Sequence, residues 1–383
     1  MLSSSERFND SVSKRSYTMS DVARLAGVSI ATVSAIVNET GRVSPKLTVR
    51  VKNAMEALDY QPNHVARSLK VRRTFTVGMV IPDVTNPFFT DMMCGVEEEA
   101  SKNGYSVILC NSGEDSAREN RHLNMLFSRR VDGILLGEVD PHGQHERIRR
   151  RLPLVLVDRI PPRFRGPGVV MDNVMAAFEA TSYLIGLGHT RIAIIAGNLA
   201  ISTGSDRMEG FRKALQEANL SLRHEYCKAG EFLFQRACEC ASDLFKLKEP
   251  PTAILCCNNK MTLGLMRTAA EMGFRIPEQV SVVGFDDFDW AESFSPRLTT
   301  IRQPAYKMGQ RAMEMLCGEI QRSMEGAIES SPALVILKSE LCVRDSSGPP
   351  GLGSSACTFS RPDQVQSERM RGNAVRTPKA SHL

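Results

Sequence analysis

Several groups of residues in this 383-residue chain have types and spacings that can do chemistry. The run Thr18–Gly27 is followed at once by Val28-Ser29-Ile30-Ala31-Thr32-Val33-Ser34-Ala35. Thr18 with Asp21 three residues on makes a capping-box start, and an acid there complements a helix N-terminus. Gly27 ends that helix and Ser29 opens another. Hydroxyls and small apolar groups therefore crowd the start of a second helix, where a helix-turn-helix presents its contacts to base edges. A basic group follows at Arg67, Lys70, Arg72 and Arg73. Phe88-Phe89 after Asn86-Pro87, Asp158-Arg159 and Asp286-Asp287 with Asp289 each admit a plain reading when taken alone: core aromatics, a surface ion pair worth little, and an acidic patch too sparse for a metal. His142 and His145 stand three apart with no cysteine or acidic cluster beside them in sequence, which reads as a solvated loop and not a zinc site. Gly186-Leu-Gly188 lacks the third glycine of a nucleotide fingerprint, no GxxxxGK[ST] loop occurs, and Glu97–Glu99 reads as helix surface. No GxSxG elbow marks a nucleophile. The residues offer no catalytic constellation, and neither a metal nor a cofactor is expected.

The elements that must position these residues fall into two styles. From residue 18 to 62 the pattern is three short helices. Val22, Leu25 and Ala26 face inward on the first, and Val33, Ile36 and Val37 recur at helical spacing on the second. Ser44-Pro45 starts the third, with Pro at its first position and Leu47, Val51, Met55 and Leu58 inward. Beyond Phe75, strand-sized runs (Thr76–Ile81, Tyr105–Cys110, Gly133–Leu136, Leu154–Val157, Ile192–Ala196, Ala253–Cys256 and Val280–Phe285) alternate with helical stretches. That alternation predicts parallel sheets covered by helices on both faces, and its length suits two sheets better than one.

Composition and charge agree. Hydrophobic residues make up 42% and charged residues 24%, which excludes wholesale disorder. No apolar run approaches the ~18 residues of a membrane helix. Residues 1–17 lack the apolar core of a signal peptide and read as a disordered leader. The ten cysteines form no CxxC pair, as expected of reduced thiols in cytoplasm. Residues 1–73 hold 12 Lys/Arg against 6 Asp/Glu, whereas residues 74–345 hold 31 against 35. A basic head on a mildly acidic body suggests that the head meets a polyanion. From Ser346 onward, 15 of 38 residues are Ser, Gly or Pro, so residues 346–383 read as a disordered tail.

The run Thr18–Ser34, then Val37-Asn38, then Pro62–Leu69 closely resembles the headpiece of the LacI-type (lac repressor/galactose repressor) family of transcriptional regulators. The resemblance implies that residues 18–62 are a helix-turn-helix headpiece and 63–73 a hinge helix. Ile30, Ala31 and Ala35 then take the base-reading positions; they can meet thymine methyls but make no bidentate hydrogen bonds. Ser29, Thr32 and Ser34 contact phosphates or cap the helix, and Thr18, Asn38 and Asn63 belong to the same DNA surface. In the hinge, Val65–Leu69 resembles the segment that pairs with its twin in the minor groove. Leu69 is the wedge there, with Ala66, Arg67 and Lys70 alongside. Two hinges imply a homodimer on a palindromic operator.

Residues 74–345 resemble the family's two-lobed, periplasmic-binding-protein-like (type I) effector domain. The resemblance rests on Val77–Phe89, Val131–Leu136, Leu187–Ile192, Ser281–Asp287 and Leu298–Pro304. Carried over position by position from ribose-binding relatives, the sugar contacts fall on Asn86, Phe88, Phe89, Asp158, Arg159, Arg207, Phe232, Asn258, Asp286 and Gln303. Aromatics cover the apolar faces of a sugar ring while Asp, Asn, Gln and Arg meet its hydroxyls. Ile201 stands where purine-binding members carry an arginine, which points away from nucleobases. The function implied is a dimeric repressor of operator DNA switched by a sugar-like molecule between the lobes, in the cytoplasm, with no membrane. A corepressor-type or dual activator/repressor is the alternative within the family. A transport-associated sugar-binding protein and an enzyme are the alternatives outside it.

Overall fold

The computed structural model describes residues 17–37, 43–60, 73–140, 142–143, 145–162, 164–326 and 333–351. Helices α1 (Met19–Ala26), α2 (Ile30–Val37) and α3 (Pro45–Ala57) pack around Val22, Ala23, Ala26, Val33, Val51, Ala54 and Tyr60. The first two axes are bent by 108° at the break, within the range of a helix-turn-helix. Thr18 caps α1 reciprocally with Asp21, and Gly27 leaves it at φ 60°, a left-handed conformation that suits glycine. Arg50 of α3 donates to the carbonyl of Ala26 at 2.5 Å, satisfying an orphan acceptor of the helix end. One inward assignment fails. Leu25 is exposed, because the buried face of α1 runs through Val22, Ala23 and Ala26 and places Leu25 at its edge.

The body consists of two six-stranded sheets. In the first, the order is β11-β5-β4-β3-β1-β2, with every pairing parallel. These strands are β1 (Thr76–Ile81), β2 (Ser106–Asn111), β3 (Gly133–Leu136), β4 (Leu154–Val157), β5 (Gly168–Met171) and β11 (Leu334–Leu337). In the second, the order is β12-β10-β9-β8-β6-β7. Its strands are β6 (Ile192–Ala196), β7 (Cys227–Ala229), β8 (Ala253–Cys256), β9 (Ser281–Phe285), β10 (Thr299–Arg302) and β12 (Glu340–Cys342), the last antiparallel to β10. The central strands are buried end to end, as parallel strands covered on both faces must be. Each lobe reverses its strand order between two central strands, β1/β3 and β6/β8. Such switch points put a crevice at the carboxyl ends of the strands.

The segment from Ser346 to Gly351 corrects the boundary of the disordered tail. Ser346 is fully buried, donates its backbone N–H to Arg297 at 2.8 Å and accepts from Val282 at 2.7 Å. Buried His189 lies between Thr252 Oγ1 at 2.9 Å, Ser281 Oγ at 3.1 Å and the Gly348 carbonyl at 2.9 Å. These residues are Ser- and Gly-rich because the contact is made by backbone and hydroxyl groups. The remainder of the tail lies outside the described residues. Every described cysteine is a free thiol. Among the described residues no single helix is long and apolar enough to cross a membrane.

Candidate functional site

The carboxyl ends of the two sheets face each other across a cleft of about 610 Å³. All ten residues assigned to a sugar site by resemblance line this one space, although they span the chain from Asn86 to Gln303. The loop after β1 delivers Asn86, whose side chain caps the helix Pro87–Lys102 by accepting from the N–H of Phe88 at 2.9 Å. That cap aims Phe88 and Phe89 together, with centroids 4.9 Å apart at 70°. The turn after β4 delivers Asp158 and Arg159, and that after β7 delivers Phe232. Asn258 comes after β8, Asp286 directly follows β9 and Gln303 directly follows β10. Arg207 enters from the helix Ser202–Glu217.

Local backbone at the cleft is unusual. Glu114, Asp158, Phe232 and Asp286 all line it with positive φ (57°, 65°, 60° and 69°). Non-glycine residues rarely hold that conformation, and clusters of it mark functional sites. Gly197 is required for a different reason, since a Cβ there would run into the ring of Phe232.

The electrostatics are those of buried, paired charges. Arg159 donates from both Nη atoms to Glu114, at 2.8 and 2.6 Å, and its guanidinium lies 5.4 Å from the ring centroid of Phe232. Arg207 donates to Asn173 at 2.8 Å and to the carbonyl of Cys257 at 2.5 Å, and stacks 4.2 Å over Phe285. Burial pushes the Asp158 carboxyl up to about 6, against the pull of Arg159 and Arg207. Gln303 donates to Asp286 at 2.5 Å. Such an array offers fixed donors and acceptors beside aromatic faces, which is chemistry for holding a polyol and not for breaking bonds.

Two expectations change. Asp287, weighed as part of an acidic patch, is consumed by Arg344, Arg302 and Thr300, which hold its carboxyl down at about 2 in spite of burial. His145 is not in a solvated loop: its Nδ1 lies 2.8 Å from Oε1 of the buried Glu138, a carboxylate seven residues back that no short histidine spacing reveals. Sequence reasoning also missed lining residues. Asp83, Glu114 and Lys260 line the cleft, and Lys260 pairs with Asp83 across it. Asn259 donates to Asn86 at 2.8 Å from the other lobe. Acids following β1 and β2 were the only available signals, and both are common in loops.

In the headpiece, Ser29 accepts from the N–H of Thr32 at 3.1 Å and shares a hydrogen bond with its hydroxyl. Thr18, Ser29, Ile30 and Ala31 are exposed, whereas Thr32, Ser34 and Ala35 are half-buried. Ile30 therefore belongs to the surface and not to the core beneath α2. Asn38, Asn63, Ala66, Arg67, Leu69 and Lys70 lie outside the described residues.

Residues 74–336 match the family model described as periplasmic binding proteins and sugar binding domain of the LacI family, and residues 18–63 match that of bacterial regulatory proteins, lacI family. The chain belongs to the LacI family. It is 38% identical over 334 residues to the HTH-type transcriptional repressor PurR of Vibrio vulnificus, covering 86% of this chain and 98% of that protein. It is similar in structure to the lac repressor dimer bound to operator and the anti-inducer ONPF, with a TM-score of 0.76 and 26% identity over 87% of this chain and all of the other. A Burkholderia thailandensis protein provisionally assigned as a ribose operon repressor is similar at a TM-score of 0.64 and 33% identity, over 70% of this chain and 99% of that one. As a LacI-family member the chain is a helix-turn-helix transcriptional regulator and not an enzyme.

Proposed function

We propose that this LacI-family regulator is a cytoplasmic repressor that binds a palindromic operator as a homodimer and is switched by a neutral pentose-like sugar in the interlobe cleft. One observation carries the reading: ten residues chosen for sugar contacts, scattered over the chain, line a single cleft. The names of the relatives add weight on the side of repression, operator DNA and ribose. The headpiece reads DNA through Thr18, Ser29, Ile30, Ala31, Thr32, Ser34, Ala35 and Asn38. The hinge contributes Asn63, Ala66, Arg67, Leu69 and Lys70. Ile201, which lines a space adjoining the cleft, stands where purine-binding members carry an arginine and offers a nucleobase no such donor. To change operator affinity ~100-fold, the sugar must distinguish two states by about 2.7 kcal/mol, an ordinary allosteric coupling.

The test uses the full chain, operator duplexes selected from random DNA, and D-ribose as the probe. Asp286→Asn keeps the shape of the site and removes its negative charge. Arg207→Ala removes a buried guanidinium. Each should weaken D-ribose binding at least ~10-fold, the scale of a lost hydrogen bond to a charged group. Operator binding without sugar should stay near wild type if the sugar releases DNA. If the sugar promotes binding, both variants should need more of it to hold DNA. Unchanged D-ribose response in both variants excludes this site.

A further inference from the structure

At the end of the first sheet opposite the cleft, arginines recur in a pattern that neither the core nor the sugar contacts use. Strands β4, β3 and β1 lie side by side and parallel, so their first residues share one edge. Arg151, Arg130 and Arg73 each stand three residues ahead of those starts, at Leu154, Gly133 and Thr76. With strands ~4.8 Å apart, the row spans ~10 Å. All three arginines line one cavity of about 360 Å³, with Asp132 and with Met324 at the end of the helix Ala305–Met324. Arg73 is occupied there. Asp132 accepts the N–H groups of Thr74 at 2.9 Å and Phe75 at 3.0 Å and pairs with Arg73 Nε at 3.6 Å. Arg73 also donates to the Tyr105 hydroxyl and lies 4.6 Å from the ring centroid of Phe75. Arg130 and Arg151 differ: with Arg129 and Arg150 beside them, they are exposed and form no ion pair among the described residues. Elsewhere exposed arginines are neutralised along their own helices, as Arg212 is by Glu209, Arg236 by Glu239 and Arg311 by Glu314. Of the acids in the segments around the row, Asp132 is occupied, Glu146 pairs with Arg149 and Glu325 accepts from Gln321.

We propose that this pole of the first lobe is a second DNA surface, where Arg129, Arg130, Arg150 and Arg151 meet phosphates of the duplex flanking the operator. Unpaired guanidinium groups suit phosphate oxygens, which they can hold through two parallel N–H donors. Position makes DNA the source of those phosphates. Twelve residues, 61–72, join Tyr60 of the headpiece to Arg73. Fully extended, such a tether reaches ~45 Å. Asp132 clamps the point where it enters the body, beside the arginine row. DNA gripped by a headpiece is therefore kept within reach of this pole, at the end of the lobe away from the cleft. Phosphate contacts carry no sequence information, so the surface adds affinity and salt dependence and leaves specificity to the headpiece.

This inference rests on the operator reading above, so its test compares two duplexes, one of which needs only the headpieces and hinges. An operator selected from random DNA is trimmed to the bases that selection fixes. A second duplex carries about 13 further base pairs of unrelated sequence on each side, the tether's reach at ~3.4 Å per pair. Anisotropy titrations use the full chain and the variant Arg129→Gln/Arg130→Gln/Arg150→Gln/Arg151→Gln, whose changes are all at exposed positions. At about 100 mM salt, wild type should bind the longer duplex roughly threefold to thirtyfold more tightly, with a log–log salt slope steeper by about 2 to 4. The variant should bind the trimmed duplex as wild type does and lose both the gain and the extra slope. Arg130→Lys/Arg151→Lys, which keeps the charges, should retain most of both. No gain from the flanks in wild type, or a gain that the glutamine variant keeps, overturns the proposal and leaves the operator reading standing. Equal weakening of that variant on both duplexes also overturns it, because the arginines would then act on the fold or within the headpiece's own footprint. Calorimetric binding of inorganic pyrophosphate that the variant abolishes, with no effect of the flanks, assigns the arginines to a small anion and overturns the DNA surface. Failure of wild type to bind the trimmed duplex overturns both readings.

Discussion

Buried carboxylates in the first lobe make stability depend on pH in a direction opposite to that of most surface acids. Glu119 has a folded-state value of about 7 against an ordinary 4.5. The folded state thus binds its proton more tightly than the unfolded chain does. That contribution is fully present below the ordinary value and is lost as pH rises through about 7. The loss amounts to at most ~3 kcal/mol, at 1.36 kcal/mol for each unit of separation. Glu119→Gln keeps an acceptor for Val139 and has no charge to lose. In urea titrations it should match wild type near pH 4 and exceed it near pH 8. An equal difference at both pH values would show that burial of this carboxylate carries no cost. Asp287 behaves in the other sense. Held at about 2 by Arg344, Arg302 and Thr300, it contributes stability above its ordinary value that disappears only as the solution falls toward pH 2.

At the scale of elements, the lobes meet through short contacts beside the cleft: Lys260 with Asp83, Asn259 with Asn86, and Ile160 with Ser202. Lys260 sits in the first turn of the helix Asn259–Glu271 and reaches a loop of the other sheet. Both partners are partly exposed, so the pair is worth about 1 kcal/mol or less and is screened by salt. Because it exists only when the lobes touch, its whole value biases the closed form. Lys260→Met should weaken D-ribose binding up to about fivefold at low ionic strength and little at high salt. A loss independent of salt would mean that Lys260 touches the sugar itself. What was legible in the sequence follows the same division. Strands β1, β3, β4, β6 and β8 were readable to the residue, because strands buried on both faces are continuous apolar runs. Strands β7 and β12 have only three residues each and leave no such run, whereas β11 is a continuous apolar run that the fold nevertheless exposes alternately at a sheet edge. The ten cleft residues were legible because strand ends and their following residues form recognisable strings. Glu114, Lys260, Glu119 and Glu138 were not, because their types are ordinary on any surface until the fold places them.

At the scale of the whole molecule, the chain passes between the lobes after Met171, after Arg302 and after Leu337. The last passage carries the second lobe past β12. After β12 pairs with β10, Ser346–Gly348 continue along the second lobe and hydrogen-bond to buried groups there. Ser346 accepts from Val282 N–H and, through Oγ, from Thr299 N–H at 2.8 Å. Ser347 Oγ meets Thr299 Oγ1 at 2.8 Å and Tyr183 at 3.0 Å, and the Gly348 carbonyl faces His189 and Ser281. Cutting after Asp345 would strand several of these buried donors, at about 1–3 kcal/mol each. His189 is held below its ordinary value by burial, so it cannot recover a partner by taking up charge at neutral pH. A chain ending at Gly351 keeps every one of these contacts. In residues 352–383 the leucines are Leu352 and Leu383, too few for a heptad seam within that stretch. The two truncations should therefore separate stability from assembly. Ending at Gly351 should leave both the urea midpoint and the sedimenting dimer of the full chain unchanged. Ending at Asp345 should lower stability by more than about 3 kcal/mol, with loss of hydrogen-exchange protection concentrated in Ser281–Phe285 and Thr299–Arg302. Equal stability of the two would mean that the segment after Asp345 rests on the lobe without supporting it, and a tetramer lost on cutting at Gly351 would give residues 352–383 an assembly role of their own.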